Sequence, residues 1–148
     1  MALKAQPVAL EIGRAEVLQD GSDVAIFALG NMVAEGQRLA KLLAAEGQSV
    51  ALVNARFAKP LDEECVTRYA RRCGVVVTME DHVLAGGFGS VVLECLSTAE
   101  MEIPVVRVGW PDQFIEHGKP EALRAKYGVT AEAALERVRP HLKRAVGV

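Results

Sequence analysis

Four short apolar runs, each followed by residues of helical period or by a turn that leads into them, constrain this chain more than any other feature. Residues 24–29 are apolar without a break and are closed by Gly30, as a strand buried on both faces requires. Runs at 50–53, 75–79 and 104–108 repeat the pattern. Between the first two, Met32, Val33, Leu39, Leu42 and Leu43 form a helical stripe over 32–46, and Gly47 stands where a C-terminal cap belongs. Pro60, Leu61 and Asp62 introduce a second helix with Asp62 as N-cap. It carries Cys65, Val66, Tyr69 and Cys73 on one face, ends with Arg71 and Arg72, whose charges suit the helix dipole, and is closed by Gly74. A third helix is expected near 90–98, with Ser90 as its cap. Two more follow at 120–127 and, after a Thr130 cap, at 131–139. Residues 15–18 and the Asp20-Gly21 turn read as an edge strand. Strands alternating with helices demand an α/β sandwich, with helices on both faces of a mainly parallel sheet. The expected core is Val24, Ile26, Phe27, Leu29, Leu39, Leu43, Leu52, Val53, Val66, Val75, Val77, Val92, Leu96, Val105, Val106 and Leu135.

Composition narrows the function classes. At 148 residues the chain is one domain's worth, and 51% hydrophobic against 24% charged is the balance of a folded protein rather than a disordered one. Seventeen basic and nineteen acidic residues leave a net charge of −2, which argues against nucleic acid as a partner. The first six residues are too short and too polar to cross a membrane. Cys65 and Cys73 lie in one expected helix, about 12 Å apart along its axis, beyond the reach of a disulfide. With Cys95 they read as three free thiols, and with no recognisable signal peptide the expected compartment is the cytoplasm.

Ligands of such sheets bind beyond the carboxyl ends of the strands. Those ends carry Gly30-Asn31, Asn54-Ala55-Arg56, Glu80-Asp81-His82 and Trp110-Pro111-Asp112. They form either a ligand or partner surface or ordinary polar loops. The run Gly86-Gly87-Phe88-Gly89-Ser90 could cradle a phosphate at a helix N-terminus. It departs from the dinucleotide fingerprint, because Val92 stands where the third glycine belongs. The expectation is therefore a packing or interface turn with no nucleotide bound tighter than millimolar. His82 beside Asp81 and Glu80, and His117 beside Glu116, could move protons. Neither has a nucleophile motif or a third metal ligand at a recognisable spacing.

Longer motifs carry a resemblance. The stretch Val53-Asn54-Ala55-Arg56-Phe57-Ala58-Lys59-Pro60-Leu61-Asp62 is similar to VNARFxKPLD of the 1-deoxy-D-xylulose-5-phosphate synthase family, itself part of the transketolase family. Residues 80–90 resemble its E-(E/D)-H-x-x-x-GGFGS segment. Residues 108–118, which include Phe114, Glu116 and His117, resemble its G-x-PDxFIEHG segment, and Gly30-Asn31-Met32-Val33 its ALGxMV turn. The likeness runs from about residue 12 to 141, which divides the chain into an N-terminal linker at 1–11, a transketolase C-terminal-like domain at 12–142 and a tail at 143–148. It implies a three-layer α/β/α sandwich around a five-stranded mixed sheet whose first strand is antiparallel. It also implies a parent transferase that condenses pyruvate with glyceraldehyde 3-phosphate for isoprenoid and thiamine synthesis.

In that family thiamine diphosphate and magnesium are held by the N-terminal and central domains, and the magnesium motif GDG…N is absent from this sequence. The family's Tyr-Pro-Arg-Gly would stand just ahead of Val8, where this chain has Met1-Ala2-Leu3-Lys4-Ala5-Gln6. Met1 at that boundary suits either a split gene or a piece of a longer chain. The implied role is thus support: packing on the other two domains and contributing to a homodimer, with no catalytic, cofactor-binding or metal-binding residue of its own. Candidate interface or loop-anchor residues are Glu80, Asp81, His82, Gly86, Gly87, Phe88, Gly89, Ser90, Phe114, Glu116 and His117. The alternatives are a regulatory module that binds a small anion or nucleotide, and a protein-docking domain such as the pyruvate dehydrogenase beta subunit provides.

Overall fold

The computed structural model describes residues 9–142. The tail at 143–148 and most of the expected linker lie outside the described residues. Strand β1 (Glu16–Gln19) opens the fold and β2 (Val24–Ala28) follows. After a 3-10 turn at Gly30–Met32 come α1 (Val33–Ala45), β3 (Val50–Asn54), α2 (Glu63–Arg72), β4 (Val75–Val83), α3 (Phe88–Thr98), β5 (Val105–Trp110), α4 (Pro120–Tyr127) and α5 (Ala131–Val138). The sheet order is β1-β3-β2-β4-β5. β1 runs antiparallel to β3, and the other pairs are parallel.

Because side chains alternate across a strand, each central strand feeds two cores. Val24, Ile26, Val75, Val77 and Met79 meet Leu39 and Leu43 of α1 and Ala134 and Leu135 of α5. Ala25, Phe27, Val53 and Val76 meet Val66 and Tyr69 of α2 and Phe88, Val92 and Leu96 of α3. The result is three layers. Caps are local: Asp62 accepts the backbone N–H of Cys65 at 3.0 Å, and Thr130 that of Ala133 at 3.3 Å. Gly47 has φ +80°, the left-handed turn that ends α1. Among the described residues no helix is long and apolar enough to cross a membrane.

Four expectations need correction. Leu29 and Val105 are half-buried rather than core, because Leu29 lies past the end of β2 and Val105 sits on the edge strand. β4 continues to Val83, so Glu80, Asp81 and His82 belong to a strand and not to a loop. Cys73 is the residue after α2 rather than a member of its face, although it is buried. Ser90 is not a cap: α3 begins at Phe88 with Gly87 in the N-cap position, which puts Ser90 inside the first turn.

Candidate functional site at the carboxyl edge of the sheet

The extended β4 sends Glu80 and Asp81 to opposite faces. Glu80 points to the α3 side and is 1% exposed. The turn after β4 then brings the chain back over it. The backbone N–H of Phe88 donates to Glu80 Oε2 at 2.6 Å, and that of Gly89 to Oε1 at 2.8 Å. A carboxylate of the chain's own therefore stands where a phosphate would bind a helix N-terminus. Those N–H groups are used, and a second anion would face the first at close range.

The same approach accounts for the glycines. A Cβ on Gly87 would stand 2.2 Å from Glu80 Oε2 and 2.4 Å from the Val83 carbonyl oxygen. On Gly89 it would stand 2.7 Å from Thr78 Oγ1 and 3.0 Å from Arg107 Nε. Gly86 has open space but φ +68°, which disfavours a side chain. Ser90 Oγ donates to the Leu84 carbonyl at 3.0 Å and accepts from Arg107 Nη2 at 3.1 Å. Arg107 Nη2 also donates to the Leu84 carbonyl, so the turn is held from β5. Thr78 Oγ1 and Arg107 Nε are buried there without a partner.

Asp81 works on the other face. It accepts from Asn31 Nδ2 at 2.6 Å, Trp110 Nε1 at 2.7 Å and Arg124 Nη2 at 2.6 Å. Partial burial alone would raise its pKa, but these three hydrogen bonds and the guanidinium charge outweigh that and hold it below the usual range. One side chain thus pins the ends of β2, β4 and β5 and the helix α4.

Glu116, in the loop after β5, accepts from Lys126 Nζ and, at 2.6 Å, from the Tyr127 hydroxyl. The lysine bond first, then the tyrosine, pulls its pKa down to about 2. Phe114 in the same loop is fully exposed. His82 is exposed, with Nδ1 3.0 Å from the Val83 carbonyl. His117 is exposed too, with no hydrogen-bond partner among the described residues.

The structure therefore gathers Glu80 with Gly87, Phe88 and Gly89, and separately Asp81 with Asn31, Trp110 and Arg124. It pairs neither histidine with a carboxylate or nucleophile. Sequence reasoning missed Thr78, Arg107 and Arg124. Arg107 carries a signal that could have been read, a lone charge inside the apolar run Val-Val-Arg-Val of β5.

A mixed five-stranded sheet of this order, with the turn after β4 closed over Glu80, is the frame in which these residues stand. The chain belongs to the transketolase C-terminal domain family, whose description, Transketolase, C-terminal domain, matches residues 13–133. Its curated relatives are 1-deoxy-D-xylulose-5-phosphate synthases. That of Acidobacterium capsulatum is 50% identical over 143 residues, 97% of this chain and 23% of the relative. That of Methylacidiphilum infernorum is 54% identical over 136 residues, 92% of this chain and 22% of the relative. The chain thus spans about a fifth of the length of these relatives. Among solved structures it is similar to a chain described as a split gene transketolase, inactive beta4 tetramer. That likeness has a TM-score of 0.84 and 45% identity, and covers 93% of this chain and 45% of the other. A transketolase variant from Pichia stipitis shares the fold, with a TM-score of 0.59 at 17% identity over 86% of this chain and 18% of its own.

Proposed function

We propose that this chain serves a 1-deoxy-D-xylulose-5-phosphate synthase as its C-terminal domain. The parent activity is thiamine-diphosphate-dependent condensation of pyruvate with glyceraldehyde 3-phosphate in the cytoplasm, with release of carbon dioxide. The observation that carries the reading is 50% identity across 97% of the chain to an enzyme of that name. The domain's part is mechanical: it packs on the N-terminal and central domains and adds surface to a homodimer. Self-association is supported by the relative described as a beta4 tetramer.

The chain's own residues do not fit the cofactor. The diphosphate of thiamine diphosphate needs a cradle of free N–H donors together with a metal ion, and the N–H groups of Phe88 and Gly89 are spent on Glu80. Among the described residues there is no group of three histidine, cysteine or carboxylate side chains fit to hold a metal ion. In this reading the cofactor and magnesium are held by the parent's other domains, and the strand-end network of this one stays a rigid support.

A chimera tests the proposal. This chain replaces the matching segment of the Methylacidiphilum infernorum enzyme, and thiamine-dependent carbon dioxide release is measured from pyruvate and glyceraldehyde 3-phosphate. The expected result is activity in the chimera and none in this chain alone. A folded chimera without activity, or turnover by the isolated chain, overturns the reading.

A further inference from the structure

The order of the sheet reverses at β2. The chain leaves β2 for β3 on one side and returns to β4 on the other, with α1 on one face and α2 and α3 on the opposite one. Loops leaving β2 and β4 therefore diverge and open a crevice beyond their carboxyl ends. On the α1 face the hydrogen bond from Asn31 to Asp81 closes it. On the α2 and α3 face it stays open as a cavity of about 320 Å³. That volume lies at the lower end of the small-molecule range. Leu29, Ala58, Phe88 and Val91 line it.

The polar groups there decide what could enter. Lys59 lines the cavity and has no hydrogen-bond or ion-pair partner among the described residues. His82 also lines it, with Nδ1 engaged on the Val83 carbonyl and Nε2 left without a partner. Glu80 is another lining residue, almost wholly buried, with both carboxylate oxygens already accepting from the N–H groups of Phe88 and Gly89. With those N–H groups spent on Glu80, a phosphate finds no backbone cradle here. A singly charged group, by contrast, is drawn to Lys59 while an apolar body attached to it rests on Phe88 and Val91. We propose that this cavity is a binding site for a small carboxylate with an aromatic or branched aliphatic body, held by Lys59 and His82. The proposal goes beyond the scaffold role and does not depend on which parent enzyme the domain serves.

The test is titration of the 148-residue chain, followed by amide NMR shifts, with 3-phenylpropionate, 3-phenylpropanamide and inorganic phosphate as probes. The carboxylate is expected to give saturable shifts at Leu29, residues 58–59 and residues 86–91, with a Kd of about 1 mM or below. The amide should bind at least about fivefold more weakly, as should the carboxylate to Lys59→Ala, whose exposed position spares the fold. Phosphate should give no saturable shift, and Val91→Trp, which fills the cavity, should abolish binding. Absence of saturation by the carboxylate, equal binding to Lys59→Ala, or phosphate binding as tightly at the same amides would each overturn the proposal. If Val91→Trp misfolds, the Lys59→Ala comparison still decides.

Discussion

Glu80 shows how one residue can settle the chemistry of a site. A buried carboxylate is costly unless its oxygens are hydrogen-bonded, and here each oxygen accepts a backbone N–H at the start of α3. Glu80→Gln keeps the shape but loses the charge, and turns an amide nitrogen toward one of those donors. Each such bond to a charged group is worth about 1.5–3 kcal/mol, so the substitution should lower unfolding free energy by about 2–4 kcal/mol in urea titrations. A drop within experimental error would mean that the carboxylate does not hold the helix. Gly87→Ala places a methyl 2.2 Å from the same carboxylate and 2.4 Å from backbone. The loss should be at least the ~1–3 kcal/mol of ordinary overpacking, and it should appear in the isolated chain, without any partner. Little of this was legible. Glu80 follows an apolar run as a loop residue would, and its partners lie eight and nine positions on, across a turn whose path no local pattern reveals.

Elements differ in how firmly they are held. The strands were legible because buried parallel strands are continuous apolar runs, and α1 and α2 because stripes, Gly47 and the Asp62 cap mark their faces and ends. Helix α4 was legible in extent, through Pro120 at its start and Gly128 at its end, but not in attachment, since it has no buried residue. Its docking relies on Arg124 at Asp81, Tyr127 against Trp110 and the Glu116 pair with Lys126 and Tyr127. Both carboxylates have pKa values depressed by folding, Glu116 from 4.5 to about 2 and Asp81 from 3.8 downward. A depressed carboxylate stabilises above its unfolded pKa and loses that contribution as pH falls toward the folded one. Protection factors of the α4 amides should therefore fall between pH 4.5 and about 2, ahead of those in β2, and Asp81→Asn should bring that loosening to neutral pH. Equal protection of α4 and β2 throughout the acid titration would show that its attachment lies elsewhere.

Across the whole molecule, two cores share one sheet, and a thiol buried in one of them reports when its own layer opens. Cys65, Cys73 and Cys95 are buried in the layer under α2 and α3. Burial pushes all three thiols up, Cys73 to about 11, so few thiolates exist at neutral pH. A thiol reagent at pH 8 should leave the native chain nearly unlabelled and count three thiols in denaturant. Rapid labelling of one under native conditions would expose a local opening of that layer. The antiparallel β1 has a consequence of another kind. Glu16 pairs with Asn54, the last residue of β3, so the chain enters the sheet at its carboxyl edge. Ala15 N–H is moored there to Asp62 Oδ2 at 2.9 Å. Whatever polypeptide is joined ahead of that strand is tethered at the same carboxyl edge of the sheet that carries the Gly86–Ser90 turn and the loop of Phe114, three and four strands away across it. Contacts made from such a tether are intramolecular, at an effective concentration on the order of millimolar. Surfaces too weak to hold two free molecules together would suffice to seat this domain.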